Sequence, residues 1–176
     1  MTSNKEFLNF FDEDFYIHGD FDETISTRII PNIVKEIAKQ EVKKDGKIRF
    51  FINSRGGYCD SLKEILGHVE RAKKRGIIVE THVFGVALSC GSMLAVAGSK
   101  GHRYAGEYAE HLCHLGQAWS FSTNDKELER ESQRVKSHFN FVRHHYAKHC
   151  KIRNLDDVIS SDRLFIRGQR LVSWGS

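Results

Sequence analysis

Val83 to Gly101 reads VFGVALSCGSMLAVAGSKG, and this stretch decides the architecture. A β-branched run that reads as a strand is followed by Ser89, and a Met/Leu/Ala run after it reads as a helix. A side chain at such a junction projects from the sheet edge, while the first N–H groups of the helix have no acceptor within it and point outward. That is the arrangement a nucleophilic serine requires.

Upstream, Ile77 to Phe84 is predicted as the strand leading into this junction. Before it, Leu62, Ile65, Leu66, Val69 and Ala72 mark one face of a helix that starts at Ser61 and ends at Lys74, Arg75 and Gly76, a basic last turn with a glycine stop. That helix is preceded by Gly56 and Gly57, and these by Ile48 to Ile52, IRFFI, a short apolar strand of the kind buried on both faces. Strand, glycine turn, helix and strand within about forty residues make a βαβ unit, whose parallel sheet binds ligands at the carboxyl ends of its strands. The glycine pair and Ser89 both fall at such ends. Further upstream, Ile25, Ile29, Ile30, Ile33, Val34 and Ile37 give a helix over Thr24 to Gln40, which Pro31 is expected to bend or to start. Phe15 to His18 is a short strand, and residues 1–13 read as a divergent N-terminal arm.

Downstream, Gly98 to Gly101 is a turn and Arg103 to Leu115 carries two short strands, the second Glu110 to Leu115 with His114 at its end. Gly116 to Thr123 is a loop. Asn124 with Glu127 forms a capping-box-like start to a helix of some 25 residues. Its core stripe is Leu128, Val135, Phe139, Val142 and Tyr146, and its length predicts that part of it projects toward a partner subunit. A shorter helix starts at Asn154, and Asp162 lies in a loop before Leu164 to Ile166.

The 176 residues, 40% of them hydrophobic, suit one domain, 1–176. The net charge of +4 is dispersed among acidic residues, with no aromatic-interleaved basic patch or zinc-finger spacing, so nucleic acid is not an expected partner. No apolar run reaches the roughly 20 residues of a membrane span, and the acidic opening does not read as a signal peptide. A soluble, cytoplasmic protein is expected. Cys59, Cys90, Cys113 and Cys150 lack CxxC spacing and read as free, mostly buried thiols. A zinc site would have to recruit His102, His111 or His114.

Serine hydrolysis needs a nucleophile, a base, a group that orients the base, and two oxyanion donors. Ser89, His114 and Asp162 offer the first three, and the N–H groups of Gly57 and Cys90 the last. A helix N-cap role for Ser89 and a strand-end structural role for His114 are the competing readings.

INSRGG (Ile52 to Gly57), ALSCGSMLAVAGSKGHRYA (Ala87 to Ala105) and LCHLGQ (Leu112 to Gln117) resemble the ClpP family, the proteolytic subunit of the ATP-dependent Clp protease. The similarity begins near FYIHGDFDETISTRIIPNIV and continues through the long helix, and it keeps the family's 25-residue step between Ser89 and His114. The resemblance implies an α/β ClpP/crotonase-like spiral of ββα units with a projecting long helix. It also implies a serine endopeptidase acting on unfolded polypeptides. Ser89 is then the nucleophile, His114 general base and acid, and Gly57 and Cys90 oxyanion donors. Cys90 matches a family methionine.

An ungapped match puts Arg163 at the aspartate position, and a one-residue shift restores Asp162. Asp162 is preferred because a cation would repel a histidinium, with Asp156 and Asp157 as fallbacks. The resemblance further implies self-association into rings (a heptamer or double ring), an AAA+ unfoldase partner, substrate pairing and ring contact at Gly116 to Thr123, and no metal or organic cofactor. Arg55 stands where the family has proline. That departure, the unsettled aspartate and the short terminus leave open a catalytically weak or inactive structural or regulatory subunit of a mixed ring. A crotonase-like acyl-CoA enzyme shares the spiral.

Overall fold

The computed structural model describes residues 10–11, 13–115, 124–160 and 164–167. Its sheet has the strand order β1 (Phe10–Phe11), β2 (Asp14–His18), β3 (Lys47–Ser54), β4 (Ile78–Leu88), β6 (Glu110–Cys113), β7 (Leu164–Arg167). β5 (Arg103–Ala105) lies on the same edge of β4 as β6, pairing with Thr81–Val83 where β6 takes Val86–Leu88. β2 to β6 pair in parallel, and β1 and β7 close the ends antiparallel. The predicted βαβ unit is present, within a mixed α/β spiral.

Helix α1 (Glu23–Gln40) is started by Asp22, whose carboxylate accepts from the Ile25 N–H at 2.8 Å. Ile25, Ile29, Ile33 and Ile37 recur every fourth residue and are all buried, contributing about 1.5–3 kcal/mol each. Pro31 does not mark the helix start. It lies inside α1 at an exposed position. Val34, expected in the apolar stripe, is exposed.

Helix α2 (Cys59–Lys74) starts two residues earlier than Ser61 and buries Leu62, Ile65, Leu66, Val69 and Ala72, as the periodicity predicts. Gly76 follows its end with φ of 78°. Helix α3 (Cys90–Val96) is wholly buried. Helix α4 (Asp125–His149) is capped by the Asn124 side chain, which accepts from Glu127 N–H at 3.0 Å. Its stripe is buried only toward the C-terminal end, at Val142 and Tyr146. Val135 and Phe139 are half-buried and Leu128 is exposed, as expected of a helix that projects. Helix α5 (Leu155–Ser160) precedes β7.

The expected burial of β3 on both faces fails. β3 alternates, with Ile48, Phe50 and Ile52 buried and Arg49 and Phe51 only half-buried. The helices cover the first face, and on the second Tyr16, Phe51, His82 and Tyr104 stack across four strands with ring centroids 4.7–5.1 Å apart. Tyr104 is exposed, as is Phe84, whose ring lies 6.3 Å from those of Phe51 and His82. The apolar run IRFFI therefore serves one helix-covered core and one aromatic face that the described residues leave partly uncovered.

The β3–β4 ladder also shifts. Ile52 pairs with Val83 and Ser54 with Ala87, so two steps along β3 face four along β4. The Asn53 side chain fills the gap, its Oδ1 accepting from Val86 N–H at 3.1 Å. This bulge carries β4 past Phe84, the predicted end, to Leu88, and brings Ser89 level with the turn after β3.

Candidate active site

Ser89 has φ 52° and ψ −120°, a region that L side chains rarely occupy, and it caps α3 without a side-chain hydrogen bond to that helix. A helix N-cap role is thus not what its hydroxyl serves. Its position is held by its own backbone: the N–H donates to Leu112 O at 3.1 Å, and its carbonyl accepts from Met93 N–H at 3.0 Å. The first bond ties the serine to β6, the strand that leads to His114.

The turn after β3 packs directly on this residue. Gly56 and Gly57 have φ of 113° and 135°. A Cβ on Gly56 would lie 2.6 Å from Ser89 Cβ, and one on Gly57 would lie 2.4 Å from Phe21 O. Only glycine fits either position, for conformation and for space. Phe21 takes the Gly56 carbonyl and the Tyr58 N–H at 2.6 and 2.7 Å and bonds nothing on Gly57. The Gly57 carbonyl instead accepts from Cys90 Sγ at 3.2 Å. Cys90 is the first residue of α3, so its N–H has no partner within the helix. Among the described residues no hydrogen bond occupies the N–H of Gly57 or of Cys90. Two free donors therefore flank Ser89.

β4 and β6 pair in parallel with Leu88 opposite Leu112, so Ser89 and His114 leave the same edge of neighbouring strands, which lie about 4.8 Å apart. β6 ends at Cys113, two residues before the predicted end, leaving His114 just beyond it. His114 is half-buried, with Nε2 shielded from solvent. The next residue is held on two sides: Leu115 N–H donates to Ile159 O at 2.9 Å, and Leu115 O meets His138 Nε2 at 3.0 Å. His138, one turn into the half-buried part of α4, was not among the residues singled out from sequence. Nothing in local spacing reveals a contact across 23 residues.

His111 is excluded as the base. It is fully buried on β6, burial pushes its pKa down to about 4, and neither ring nitrogen has a hydrogen-bond partner among the described residues. Cys90 is excluded as the nucleophile: the hydrogen bond its thiol gives to Cys59 and its burial both push its pKa up, so it stays a thiol. Cys90, Cys113 and Cys150 are buried and Cys59 is half-buried. Among the described residues no three His, Cys, Asp or Glu side chains are grouped to hold a metal ion.

Asp162, its alternative Arg163 and the loop Gly116–Thr123 lie outside the described residues. The nearest described segments before and after Asp162 are tied to the neighbours of His114: Ile159 O accepts from Leu115 N–H, and Leu164 pairs with Cys113. The fallback Asp156 is engaged by the Arg143 guanidinium at 2.5 Å.

A family model described as Clp protease matches residues 6–165, which takes in every element of this site. The chain belongs to the Clp protease family. Its similarity to individual members is moderate. It is 31% identical over 98 residues to an ATP-dependent Clp protease proteolytic subunit of Leuconostoc citreum, covering 56% of this chain and 46% of that protein. It is 36% identical over 78 residues to proteolytic subunit 2 of Chlamydia abortus, covering 44% and 36%. With proteolytic subunit 1 of Chlamydia pneumoniae it shares 27% over 124 residues, covering 65% and 63%. The alignments thus span between about a third and two-thirds of these Clp subunits. Among the described residues no helix is long and apolar enough to cross a membrane.

Proposed function

We propose that this chain is a Clp-type serine endopeptidase subunit in which Ser89 is the nucleophile and His114 the base. The observation that carries the reading is the seat of Ser89, strained at φ 52° between β4 and α3, with the unoccupied N–H groups of Gly57 and Cys90 beside it. Strain of this kind costs on the order of 1–3 kcal/mol and persists where a side chain must be presented.

In this reading Ser89 Oγ attacks the scissile carbonyl carbon while His114 takes its proton. The negative charge that develops on the carbonyl oxygen is met by the N–H groups of Gly57 and Cys90. His114 then hands its proton to the departing amine, leaving Ser89 acylated, and water, deprotonated by His114, releases the acid. Asp162 is the proposed orienter of His114. Support comes from its neighbours, since Ile159 and Leu164 are tied to Leu115 and Cys113. An arginine at that place would disfavour the imidazolium, which is why Arg163 is not preferred.

The mechanism asks for no metal or organic cofactor. By analogy with the Clp subunits it resembles, the substrates are unfolded polypeptides delivered by an AAA+ unfoldase. The subunit, read as one domain, assembles into a ring in the cytoplasm, and the projecting end of α4 is available for contact between subunits.

The test is labelling with a fluorophosphonate, which reacts only with an activated serine, with the oligomeric state measured on the same samples. Labelling lost in both Ser89→Ala and His114→Ala, and reduced in Asp162→Asn but not in Arg163→Gln, is the expected result. Assembled wild-type rings that do not label would overturn the peptidase reading in favour of a structural subunit.

A further inference from the structure

We propose that Cys59 and Cys90 form an oxidisable thiol pair, which a peroxide closes into a disulfide beside Ser89. The two residues open neighbouring helices, α2 and α3, and their sulfurs lie 3.5 Å apart across the oxyanion turn. The pair is asymmetric. Cys90 is fully buried, whereas Cys59 is half-buried and is the one an oxidant can reach.

The asymmetry sets the order of steps. The Cys90 hydrogen bond holds the Cys59 pKa below that of an ordinary thiol, and Lys63 adds to the effect, while Cys90 remains protonated. With both protonated, Cys90 Sγ–H donates to Gly57 O and Cys59 can donate to Cys90. With Cys59 ionised, the Cys90 proton turns toward the Cys59 thiolate. The thiolate is the form that attacks peroxide. Its sulfur takes one peroxide oxygen, the O–O bond breaks, and Cys59 becomes a sulfenic acid with release of hydroxide, which is protonated to water. Cys90 sulfur then attacks the Cys59 sulfur, the S–O bond breaks, and the Cys90 proton leaves with the oxygen as a second water. Two thiols and one hydrogen peroxide give one disulfide and two waters. Each sulfur is oxidised by one electron and the two peroxide oxygens are reduced.

Closure acts on the site through geometry. The sulfurs must approach from 3.5 Å to about 2.05 Å. The Cys90 Sγ–H that holds the Gly57 carbonyl is lost at the same time. Cys59 is two residues from one proposed oxyanion donor and Cys90 is the other, so the movement alters the spacing of the two N–H groups. A misplacement of about 1 Å at a reacting centre costs on the order of 10²-fold in rate. Part is absorbed by side-chain torsions, so labelling of Ser89 should slow by about 10-fold or more. This consequence rests on the peptidase reading; the disulfide itself does not.

The experiment treats the assembled protein with hydrogen peroxide, blocks remaining thiols by alkylation, and maps cysteine pairing by mass spectrometry. Fluorophosphonate labelling and amide hydrogen exchange at residues 56–62 are followed in parallel. The expected result is a Cys59–Cys90 cross-link, altered exchange at the Tyr58 amide, and labelling that falls and returns with dithiothreitol. Cys59→Ala should label normally before and after peroxide. The proposal is overturned if both thiols remain alkylatable or if Cys59 goes instead to sulfinic acid, and its consequence for the site is overturned if the cross-link forms with exchange and labelling unchanged. Absent labelling in the reduced protein would count against the peptidase reading alone, because pairing and exchange still judge the thiols.

Discussion

Replacing Ser89 by glycine and by alanine separates the backbone strain at this position from the chemistry of its hydroxyl. Both variants lose the proposed nucleophile, so neither should label, and they differ only in a Cβ. At φ 52° and ψ −120° that Cβ crowds the backbone at a cost of about 1–3 kcal/mol, which glycine does not bear. Against this, glycine's looser unfolded chain costs about 0.4–1 kcal/mol. The half-buried methyl of alanine returns a few tenths more through contact with the Gly56 backbone. With about 2 kcal/mol for the strain, Ser89→Gly should be more stable than Ser89→Ala by about 1 kcal/mol. In a chain of this length that is a difference of about 2–4 °C in unfolding midpoint. Thermal unfolding at matched protein concentration measures it. An alanine variant as stable as the glycine variant, or more so, would refute the claim that the strand-to-helix turn is strained.

Gly57→Ala should cost more than about 2 kcal/mol in thermal stability and abolish labelling, because its Cβ would meet the Phe21 carbonyl at 2.4 Å, next to the cap of α1. His138→Phe keeps a ring but removes the bond to Leu115 O, so labelling should slow about 10-fold with stability changed by only about 1 kcal/mol. Acid should destabilise the fold in two windows. Burial holds the folded-state pKa values of His111, His145 and His149 down at about 4, about 4 and about 3, below the ordinary 6.5. Stability is then complete above pH 6.5 and falls as pH drops toward 4, by up to about 1.4 kcal/mol per pH unit for each histidine. Burial raises the Glu70 pKa, but hydrogen bonds from Lys73 and Lys148 outweigh it and lower it from 4.5 to about 2. Its contribution is lost between those values and amounts to about 1 kcal/mol, since the side chain is 35% exposed and its charge is screened. Urea unfolding from pH 7 to pH 3 reads both windows, and a flat profile between pH 6.5 and 5 would refute the first.

The βαβ unit was readable because its signals are local: apolar residues at helical spacing in α1 and α2, and glycines where φ is positive. Ser89 was readable for the same reason, lying between a β-branched run and a small apolar helix. What escaped depends on distant pairing. The strand is expected to end at Phe84, yet Asn53 bridges the bulge and β4 continues to Leu88. Val34 and Leu128 fit the apolar periodicity of α1 and α4, but the rest of the described chain leaves both uncovered. IRFFI suggests a doubly buried strand because hydrophobicity does not distinguish a helix-packed face from an aromatic row. The hold of His138 on Leu115 and the approach of Cys59 to Cys90 join residues 23 and 31 positions apart, with no local pattern to announce them.

The bulge at Asn53 also governs how the chain tolerates length changes. The surplus of β4 over β3 is two residues, an even number, so Val83 before it and Ala87 after it face the same core. Removing one of the residues Phe84, Gly85 and Val86 would break that parity: Ala87 would turn out of the core and Ser89 would leave the sheet on the wrong side. Removing two would preserve every facing but draw Ser89 back by about 7 Å along the strand, out of line with Gly56. Insertions and deletions in this short segment are therefore constrained twice, by parity for the core and by absolute length for the site.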